Sequence, residues 1–423
     1  MSTILAGVSE GEREDEAGYV TGREAAALLG VKRETLYAYA SRGLVRSEPG
    51  GAGRERRYSR EDLERLKARR DARSGHGPVA AGALRWGEPV LESALTAIEP
   101  AGPRYRGRPS AELAAAASFE AVAELLWSGS LPEPGPRWPV TGLGLRGASL
   151  AALLPDDAPP LVTLALAVPA LGAADPDRYN VGPEAERARA RALVLRMAAL
   201  AGAGGDAARA KAALAEGAVA RALLVSLGVR ATARAEAAMS RALVLSADHE
   251  LNVSAFAVRV AASAGADLYA CVSAGLAALS GPRHGGMVDR VEALVAEAGR
   301  PERARAVVQE RARRGEEVPG FGHPLYPAGD PRGALLLAAA TELAPRSPAV
   351  RTIEAIAEAM REAGREPPSL DLGLAAIGAA IGLPPRTAVA MFAIGRAAGW
   401  LAHAFEQRAA GFLLRPRARY VGA

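Results

Sequence analysis

The chain has only five histidines, and three of them stand in settings that suit an active site. His249 lies in an Asp-His-Glu cluster, while His284 and His323 lie among glycines, in Gly-Pro-Arg-His-Gly-Gly and Gly-Phe-Gly-His. Glycine costs about 1 kcal/mol relative to alanine inside a helix, so these glycines indicate loops in which backbone and substrate can approach closely. One such histidine would be better explained by loop structure, but three together favour an active site.

Metal binding is the main alternative use of these histidines. The sequence has no HExxH or HxH spacing. Its single cysteine, Cys271, lies in an apolar run, where a small buried residue is a better interpretation than a nucleophile. A GxxxxGK[ST] phosphate loop is also absent from the sequence. We therefore expect no catalytic metal and no bound cofactor.

The histidine segments are similar to successive signatures of one enzyme family. The chain resembles the citrate synthase family over about residues 84–423, with the matching segments in the family's order. These segments are Tyr105-Arg-Gly-Arg108 with Phe119–Trp127, Ala247-Asp-His-Glu-Leu-Asn252, Leu279–Gly286, Gly320-Phe-Gly-His323 with Asp330-Pro-Arg332, Phe392–His403 and Leu414–Tyr420.

The resemblance implies a role for each of four residues. Asp371, in Pro-Ser-Leu-Asp-Leu-Gly, matches the base that removes a methyl proton from acetyl-CoA. His284 matches the residue that hydrogen-bonds the thioester oxygen, and His323 the one that polarises the 2-oxo carbonyl. His249 matches a further ligand of the oxo acid. A thioester methyl is weakly acidic, so a carboxylate base needs such hydrogen-bond donors on the carbonyl oxygen.

Three arginines match the family's ligands for the substrate carboxylates. Arginine binds carboxylates bidentately and stays charged, which suits a dianion such as oxaloacetate. The matching positions are Arg332, Arg396 and Arg415. In the family the last of these reaches in from the partner subunit, so the resemblance implies a homodimer with Arg415 donated in trans.

Five positions depart from the family's usual pattern. Ser246 stands where many relatives have histidine, and Pro324-Leu stands where many have Arg-Val. Leu372 replaces a frequent phenylalanine after the base, and Met287 replaces a small residue. Leu372 and Met287 could reshape the acyl or oxo-acid pocket. Citrate synthesis from acetyl-CoA is therefore the leading function, and 2-methylcitrate synthesis from propionyl-CoA stays an alternative.

The elements that position these residues are predicted to be helical. Periodic segments rich in alanine, leucine and arginine include Ala111–Leu126, Pro183–Leu200, Arg234–Ser246 and Arg351–Ala363. The fold class is therefore predicted to be all-α. The resemblance implies a large domain from residues 84–286 and 385–423, and a small domain from 287–384 that closes over the substrates.

A different module precedes this helical part. Residues 1–18 are acidic and irregular, which predicts a disordered lead-in, and residues 74–83 suit a linker. Between them, Thr21-Gly-Arg-Glu24 forms a capping box before one helix, Gly30 ends it, and a second helix follows from near Lys32 to Ser41. With a glycine-rich hairpin as a wing, residues 19–73 resemble the winged helix-turn-helix module of the MerR and excisionase families.

Charge favours an anionic partner for this module. Residues 19–73 hold 14 Lys/Arg against 8 Asp/Glu, although the whole chain has a net charge of only +5. If the module binds duplex DNA, its candidate contacts are Lys32, Arg33, Arg42, Arg54, Arg56 and Arg57. Protein contacts or oligomerisation are alternative uses of the module. A DNA-binding regulator whose synthase domain senses a metabolite is the alternative to an enzyme.

The chain is expected to be cytoplasmic. The first residues are dense in charge, unlike a signal peptide, and the longest apolar stretches fall short of the roughly 20 residues that span a bilayer. We expect no membrane partner.

Overall fold

The structure, a computed structural model, describes residues 18–50, 56–73, 91–145, 152, 154, 158–416, 420 and 422. The chain divides into two compact units, residues 1–92 and 93–423.

The N-terminal unit combines three helices with a small antiparallel sheet. Its helices are α1 (Gly22–Leu29), α2 (Arg33–Ser41) and α3 (Arg60–Arg73). Its strands are β1 (Tyr19–Thr21), β2 (Ser47–Pro49) and β3 (Arg56–Ser59), in the order β1-β3-β2. Strand β3 pairs with both neighbours through Tyr58, which faces Val20 on one side and Ser47 on the other.

Local signals in the sequence explain the helix ends of this unit. The Thr21 hydroxyl accepts the Glu24 N–H at 3.3 Å, and the Glu24 carboxylate accepts the Thr21 N–H at 3.0 Å, which confirms the capping box. Gly30 ends α1 with a left-handed φ of 59°. The predicted wing has its tip at Gly50–Gly53, and residues 51–55 lie outside the described residues.

The C-terminal unit is mostly helical, which confirms the predicted fold class. Its helices are α4 (Ser110–Ala116), α5 (Phe119–Ser128), α6 (Pro160–Ala174), α7 (Pro183–Ala201), α8 (Ala207–Ala215), α9 (Val219–Ser226), α10 (Ala233–Ser246), α11 (Val253–Ser263), α12 (Leu268–Leu279), α13 (Met287–Ala298), α14 (Ala304–Arg313), α15 (Pro331–Leu343), α16 (Pro348–Glu362), α17 (Leu370–Ile381) and α18 (Val389–Ala410).

The helix predicted over Ala111–Leu126 is two helices in the structure. Helix α4 ends at Ala116, and Ala117 is extended with ψ at 151°. The Ser118 hydroxyl then accepts the Ala121 N–H at 3.2 Å and so caps α5. The apolar periodicity continues across Ala117 and Ser118, so it does not reveal the break. The break depends on the Ser118 side chain, which bonds a backbone N–H and so starts a new helix.

A three-stranded antiparallel sheet stands at the start of this unit. Strands β4 (Thr96–Glu99), β5 (Gly102–Tyr105) and β6 (Arg108–Pro109) pair in chain order. The turn between β5 and β6 has left-handed φ angles at Arg106 and Gly107, 49° and 80°. This matches a tight hairpin turn, in which glycine is favoured.

Helix α18 runs through the main core of the C-terminal unit. It packs against α10, α11, α12 and α5, and most of its residues from Val389 to Ala404 are buried. Where α18 meets α10, Gly395 leaves room for the backbone carbonyl of Leu243, which would lie 2.7 Å from an added Cβ. The helices therefore approach closely only because this position lacks a side chain.

A second, smaller apolar core lies among α13, α14 and α16. Its buried residues are Leu294, Ala298, Ala304, Val307, Val308, Ile356, Ala359 and Met360. These residues all fall within the predicted small domain, 287–384. The boundaries of the large and small domains stay a prediction.

No helix in the described part of the chain combines the length and apolarity that a membrane span requires.

Candidate active site

The three histidines are brought together by loops at helix ends. His249 follows α10, His284 precedes α13, and His323 precedes α15. The rings of His249 and His323 lie edge to face with centroids 5.1 Å apart. The ring of His284 meets Phe392 of α18 at 5.6 Å. Separate segments thus bring the rings of His249 and His323 into contact, and His284 lies against α18.

Asn252 fixes the loop that carries His249. Its side-chain oxygen accepts the Ala255 N–H at 3.1 Å and so caps α11. Its side-chain amide donates to the carbonyls of His249 and Glu250, both at 3.3 Å. Glu250 has a left-handed φ of 53°, a costly conformation for this residue type. One asparagine therefore couples the helix start to a strained backbone beside the candidate ligand.

His284 is held by a hydroxyl on α11. Its Nε2 lies 2.8 Å from the Ser254 Oγ, which also accepts the Trp400 indole N–H at 3.0 Å. The same hydroxyl lies 2.7 Å from the side-chain oxygen of Asn252. Because a hydroxyl has one proton, Ser254 can donate either to Asn252 or to His284, and this choice sets the tautomer of His284.

The tautomer of His323 follows from its own loop. Its Nδ1 accepts the backbone N–H of Leu325 at 3.2 Å, so in the neutral ring the proton resides on Nε2. Neutral His323 is therefore a donor through Nε2.

Burial keeps all three imidazoles neutral near pH 7. It lowers the pKa of His284 to about 3 and that of His323 to about 4, with a nearby arginine adding to the effect in each case. Burial, reinforced by Arg332 and Arg396, also holds the pKa of His249 well below its ordinary value. Neutral rings can donate hydrogen bonds without placing a competing cation beside a carboxylate base.

Two buried arginines supply positive charge to the site. Arg332, 3% exposed, is paired with Asp330 through its Nε at 3.0 Å and one Nη at 2.8 Å. Its Nη1 is buried and has no hydrogen-bond partner among the described residues. Arg396, 2% exposed, donates through Nε to the Ser246 carbonyl at 2.8 Å. A buried guanidinium nitrogen without an acceptor is costly, and an anionic ligand would satisfy it.

Asp371 lies in the first turn of α17, as a half-buried carboxyl group. Burial raises its pKa to about 6, although the Ser369 hydroxyl, which donates to Oδ2 at 3.2 Å, opposes the shift. The Ser369 N–H donates to the Gly320 carbonyl at 2.8 Å, so the segment that carries Asp371 lies beside the loop that carries His323. A carboxylate with a pKa near 6 is a stronger base than an ordinary aspartate.

A buried polar network lies behind the His249 loop. Asp248 accepts the Thr96 hydroxyl at 2.5 Å, and its other oxygen lies 3.3 Å from the His403 Nε2, although not in line for a full hydrogen bond. The His403 Nδ1 accepts from Arg259 at 3.0 Å, and Arg259 pairs with Glu406. This network fixes the residue next to His249 from three separate elements.

Sequence reasoning missed several of these supporting residues. Ser254, Asp330 and Tyr326 touch the predicted site residues directly, and Asp248 with His403 supports them from behind. Most of these lie inside segments that carry the family resemblance. Their position in those segments was the one signal that could have identified them. Their contacts could not be predicted, because the partners are far away in the sequence.

Arg415 does not join the other predicted ligands. It is exposed, and the neighbouring Leu414 N–H donates to Ser263 at the end of α11. Ser254, which holds His284, is at the other end of α11, about 13 Å away at 1.5 Å per residue.

The predicted nucleic-acid contacts are partly on the surface of the N-terminal unit. Lys32, Arg33, Arg42 and Arg56 are exposed. Arg57 is half-buried and donates to the Tyr19 carbonyl at 3.1 Å. Arg54 lies outside the described residues.

A cavity of about 560 Å³ opens beside His323. Its lining includes Phe321, Gly322 and Tyr326 from the histidine loop, and Met360 and Pro367 from the α16–α17 region. It therefore borders the candidate site on the side of the second, smaller core.

Two family models match the chain. The citrate synthase C-terminal domain matches residues 83–417, and a helix-turn-helix domain matches residues 19–71.

The chain is also similar to individual proteins of known name. It is 30% identical to the 2-methylcitrate synthase of Mycobacterium tuberculosis over 333 residues, which are 75% of this chain and 84% of that protein. It is 35% identical to citrate synthase 2 of Bacillus subtilis over 186 residues, 43% of this chain and 50% of that protein. The chain thus spans about half the length of this relative and of several other curated ones that it matches.

A solved structure shows the same architecture. It is the ternary complex of citrate synthase from Thermoplasma acidophilum with carboxymethyl coenzyme A and oxaloacetate. The match has a TM-score of 0.67 and 26% identity, and it covers 79% of this chain and 94% of that one.

Proposed function

This chain belongs to the citrate synthase family, and from that premise we propose that it condenses acetyl-CoA with oxaloacetate and water to give citrate and free coenzyme A. The observation that carries the proposal is the buried Arg332 Nη1, which lacks an acceptor, beside neutral His249 and His323 and the carboxyl group of Asp371. This arrangement suits an anionic 2-oxo acid next to a base.

In the proposed first step, Asp371 takes a proton from the methyl group of the thioester. Negative charge then develops on the thioester oxygen, where His284 donates a hydrogen bond. Its Nε2 faces Ser254, so His284 donates through Nδ1 only when the Ser254 hydroxyl donates to Nε2. In that state the side-chain oxygen of Asn252 keeps the Ala255 N–H as its donor.

In the second step, the enolised methyl carbon attacks the 2-oxo carbon and a carbon–carbon bond forms. His323 donates a hydrogen bond through Nε2 to the 2-oxo oxygen, which becomes a hydroxyl by taking up one proton. The proton that Asp371 removed from the methyl group balances this uptake, so neither residue is left with an altered charge. Arg332 and Arg396 hold the carboxylates of the oxo acid. Water then cleaves the thioester bond, which releases coenzyme A as the thiol and leaves the third carboxylate of citrate.

Coenzyme A is proposed to lie along the Pro319–Gly322 loop and in the cavity beside His323. Gly320 and Gly322 have left-handed φ angles, 89° and 74°, so the loop keeps a backbone shape that other residues disfavour. Leu372 is fully buried and its side chain lies close to Gly320, so it packs against this loop.

Thiol release measured with a disulfide reagent tests the proposal. Acetyl-CoA and propionyl-CoA are each supplied with oxaloacetate, and kcat/KM is compared between them. Higher kcat/KM with acetyl-CoA supports citrate synthesis, and higher kcat/KM with propionyl-CoA favours 2-methylcitrate synthesis, which one relative's name suggests. Absence of thiol release with both acyl-CoAs contradicts the proposed enzyme.

A homodimer is proposed as the active form. Helix α6 exposes a charge-free face of Val162, Ala165, Leu166, Pro169 and Ala173 at helical spacing. Such a face suits contact with a second copy. Exposed Arg415, at the end of α11 remote from Ser254, is then available to the partner's site.

A second candidate function is DNA binding by the N-terminal unit, with the chain as a regulator. The helix-turn-helix match and the exposed Lys32, Arg33, Arg42 and Arg56 favour it. A gel-shift titration of the full chain with mixed duplex DNA tests it, and affinity should fall steeply with salt. A Lys32→Ala/Arg33→Ala/Arg56→Ala variant should bind more weakly.

The matched control carries Arg300→Ala, Arg313→Ala and Arg346→Ala, which remove the same number of exposed charges from the other unit. Equal loss in both variants would indicate nonspecific attraction to a basic protein. No binding at low salt by the unaltered chain would instead favour a protein-contact role for the module.

A further inference from the structure

Tyr326 touches three of the predicted ligands of the oxo acid at once. It follows His323 by three residues, and its N–H donates to the His323 carbonyl at 2.8 Å, which closes a tight turn. Its side chain is 2% exposed. Tyr326 is therefore buried within the candidate site, rather than at the surface of its loop.

The phenol of Tyr326 is hydrogen-bonded to His249. Its oxygen lies 3.0 Å from the His249 Nε2. Among the residues that the structure describes, Nδ1 of His249 has no hydrogen-bond partner. Burial raises the pKa of Tyr326 to about 12, so the phenol keeps its proton, and neutral His249 has one N–H to place.

The ring of Tyr326 packs against the other two ligands. The Arg332 guanidinium carbon lies 5.6 Å from the ring centroid, within the range of a cation–π contact. The His323 ring centroid is 5.1 Å away, at a tilt of 40°. The hydroxyl and the ring thus make separable contacts, which single substitutions can distinguish.

An anionic substrate favours one of the two tautomers of neutral His249. With the phenol as acceptor, neutral His249 would carry its proton on Nε2 and turn a lone pair on Nδ1 toward the site. With the phenol as donor, Nδ1–H is available to a carboxylate oxygen, which accepts hydrogen bonds only. With the phenol as donor, both the His249 Nδ1–H and the substrate carboxylate have a hydrogen-bond partner.

We infer that Tyr326 is a positioning residue of the oxo-acid site. Its O–H donates to the His249 Nε2 and so places the His249 proton on Nδ1, facing a substrate carboxylate. Its ring holds the Arg332 guanidinium and the His323 imidazole in place. This inference rests on the proposed function, because it assigns the groups that recognise the 2-oxo dicarboxylate.

Binding of oxaloacetate alone, measured by calorimetry, tests the inference without requiring condensation. Tyr326→Phe removes the hydroxyl and keeps the ring, and it should raise the Kd of oxaloacetate by roughly 5- to 30-fold, as loss of one hydrogen bond does. The KM for oxaloacetate should rise by a larger factor than kcat falls. Tyr326→Leu also removes the ring, so it should raise the Kd further and lower kcat.

Tyr269→Phe is the matched control. Tyr269 is equally buried at 2% exposure, and its hydroxyl donates to Asp175 at 2.9 Å. Asp175 belongs to the α6–α7 loop, away from the predicted ligands. This variant should lose thermal stability to a similar degree with no change in oxaloacetate affinity. An equal loss of affinity in both variants overturns the inference.

Nitrogen-15 NMR of histidine-labelled protein reads the tautomer directly, including in the unaltered chain. The His249 signals, assigned by their loss in His249→Asn, should show a proton on Nδ1. The Tyr326→Phe variant should lose this preference. A proton on Nε2 in the unaltered chain overturns the inference. Failure of the unaltered chain to bind oxaloacetate contradicts the proposed function instead, which the thiol assay checks independently.

Discussion

The titratable side chains of the candidate site have pKa values that suit enolisation near neutral pH. Burial raises the pKa of Asp371 to about 6 and lowers those of His284 and His323 to about 3 and about 4. The one carboxylate base is therefore strengthened, while the hydrogen-bond donors around it stay neutral. The same physical cause, removal from water, acts in opposite directions on acids and on imidazoles.

This arrangement predicts the acid limb of the pH profile. The base must be ionised, so kcat/KM should fall as pH falls through about 6, and by about tenfold per unit well below it. Both histidines are still neutral over most of that range, so one protonation should dominate. The pH dependence of thiol release measures this, with the buffer composition varied as a control. A limb centred near the ordinary aspartate pKa would contradict the assignment of a buried base.

Asp371→Asn tests the same residue by substitution. The amide is nearly isosteric but cannot accept the methyl proton, so turnover should fall by roughly a hundredfold or more. Oxaloacetate binding, measured by calorimetry, should survive. Asp289→Asn offers a control, because Asp289 is another half-buried aspartate with a raised pKa, outside the candidate site. Near-normal turnover in Asp371→Asn would remove the residue from the mechanism.

Most residues of the candidate site could be predicted from the sequence, whereas the residues that hold them in place could not. His249, His284, His323 and Asp371 stand in recognisable local patterns. The contacts of Tyr326 join residues that are distant in sequence, since its partner His249 is 77 positions earlier. A single sequence carries no signal for such a pair, because the pairing is created only when separate helix ends meet.

At the scale of elements, helix prediction succeeded where apolar periodicity and caps agreed. Helices α7 and α10 begin and end within one residue of the predicted Pro183–Leu200 and Arg234–Ser246. The small sheet β4–β6 was not predicted, since its strands are two to four residues long and two of them contain proline. Such strands depend on tertiary packing more than on propensity.

Close packing of α18 against the His249 loop predicts a sensitive position at Gly399. Its N–H donates to the Ala247 carbonyl at 3.0 Å, and an added Cβ would lie 2.4 Å from that carbonyl oxygen and from an Asp248 carboxylate oxygen. Gly399→Ala should therefore destabilise the fold by about 1–3 kcal/mol, as overpacking does. It should also raise the KM for oxaloacetate, because the loop must shift.

Gly378→Ala is the comparison within another helix, α17. There the nearest atom to an added Cβ would be the Ala388 methyl group at 3.1 Å, followed by the Leu383 side chain at 3.6 Å, and alanine adds helix propensity. Thermal unfolding should place its midpoint well above that of Gly399→Ala, with an unchanged KM. Equal midpoints and equal KM values would show that the α18 contact tolerates a side chain.

At the scale of the whole molecule, the position of Arg415 predicts complementation between subunits. Arg415→Ala and Asp371→Asn chains should each be nearly inactive, because one lacks a carboxylate ligand and the other the base. Refolded together, they should form hybrid dimers in which one site of two is intact. With random mixing, about a quarter of the unaltered activity should return.

Three measurements make this experiment decisive. The Arg415→Ala variant must first be shown to be impaired, since Arg417 or Arg419 could substitute. Re-association is verified with chains that carry different affinity tags. A mixed, re-associated sample that stays inactive would show that Arg415 does not act across the interface.

The 22 residues of α18 also constrain which changes in chain length the protein can accept. Arg396, Gly399, His403 and Gln407 are spaced by three, four and four residues, so they share one side of the helix. Arg396 and Gly399 contact residues 246–248, and His403 and Gln407 both accept hydrogen bonds from Arg259. One inserted residue would rotate everything beyond it by about 100°. Arg396, Gly399 and the pair His403 and Gln407 would then no longer lie on the same side of the helix. The proposed substrate ligand, the close contact and the buried network could not all form together. Natural insertions and deletions should therefore fall before Val389 or after Gly411, and not within the helix.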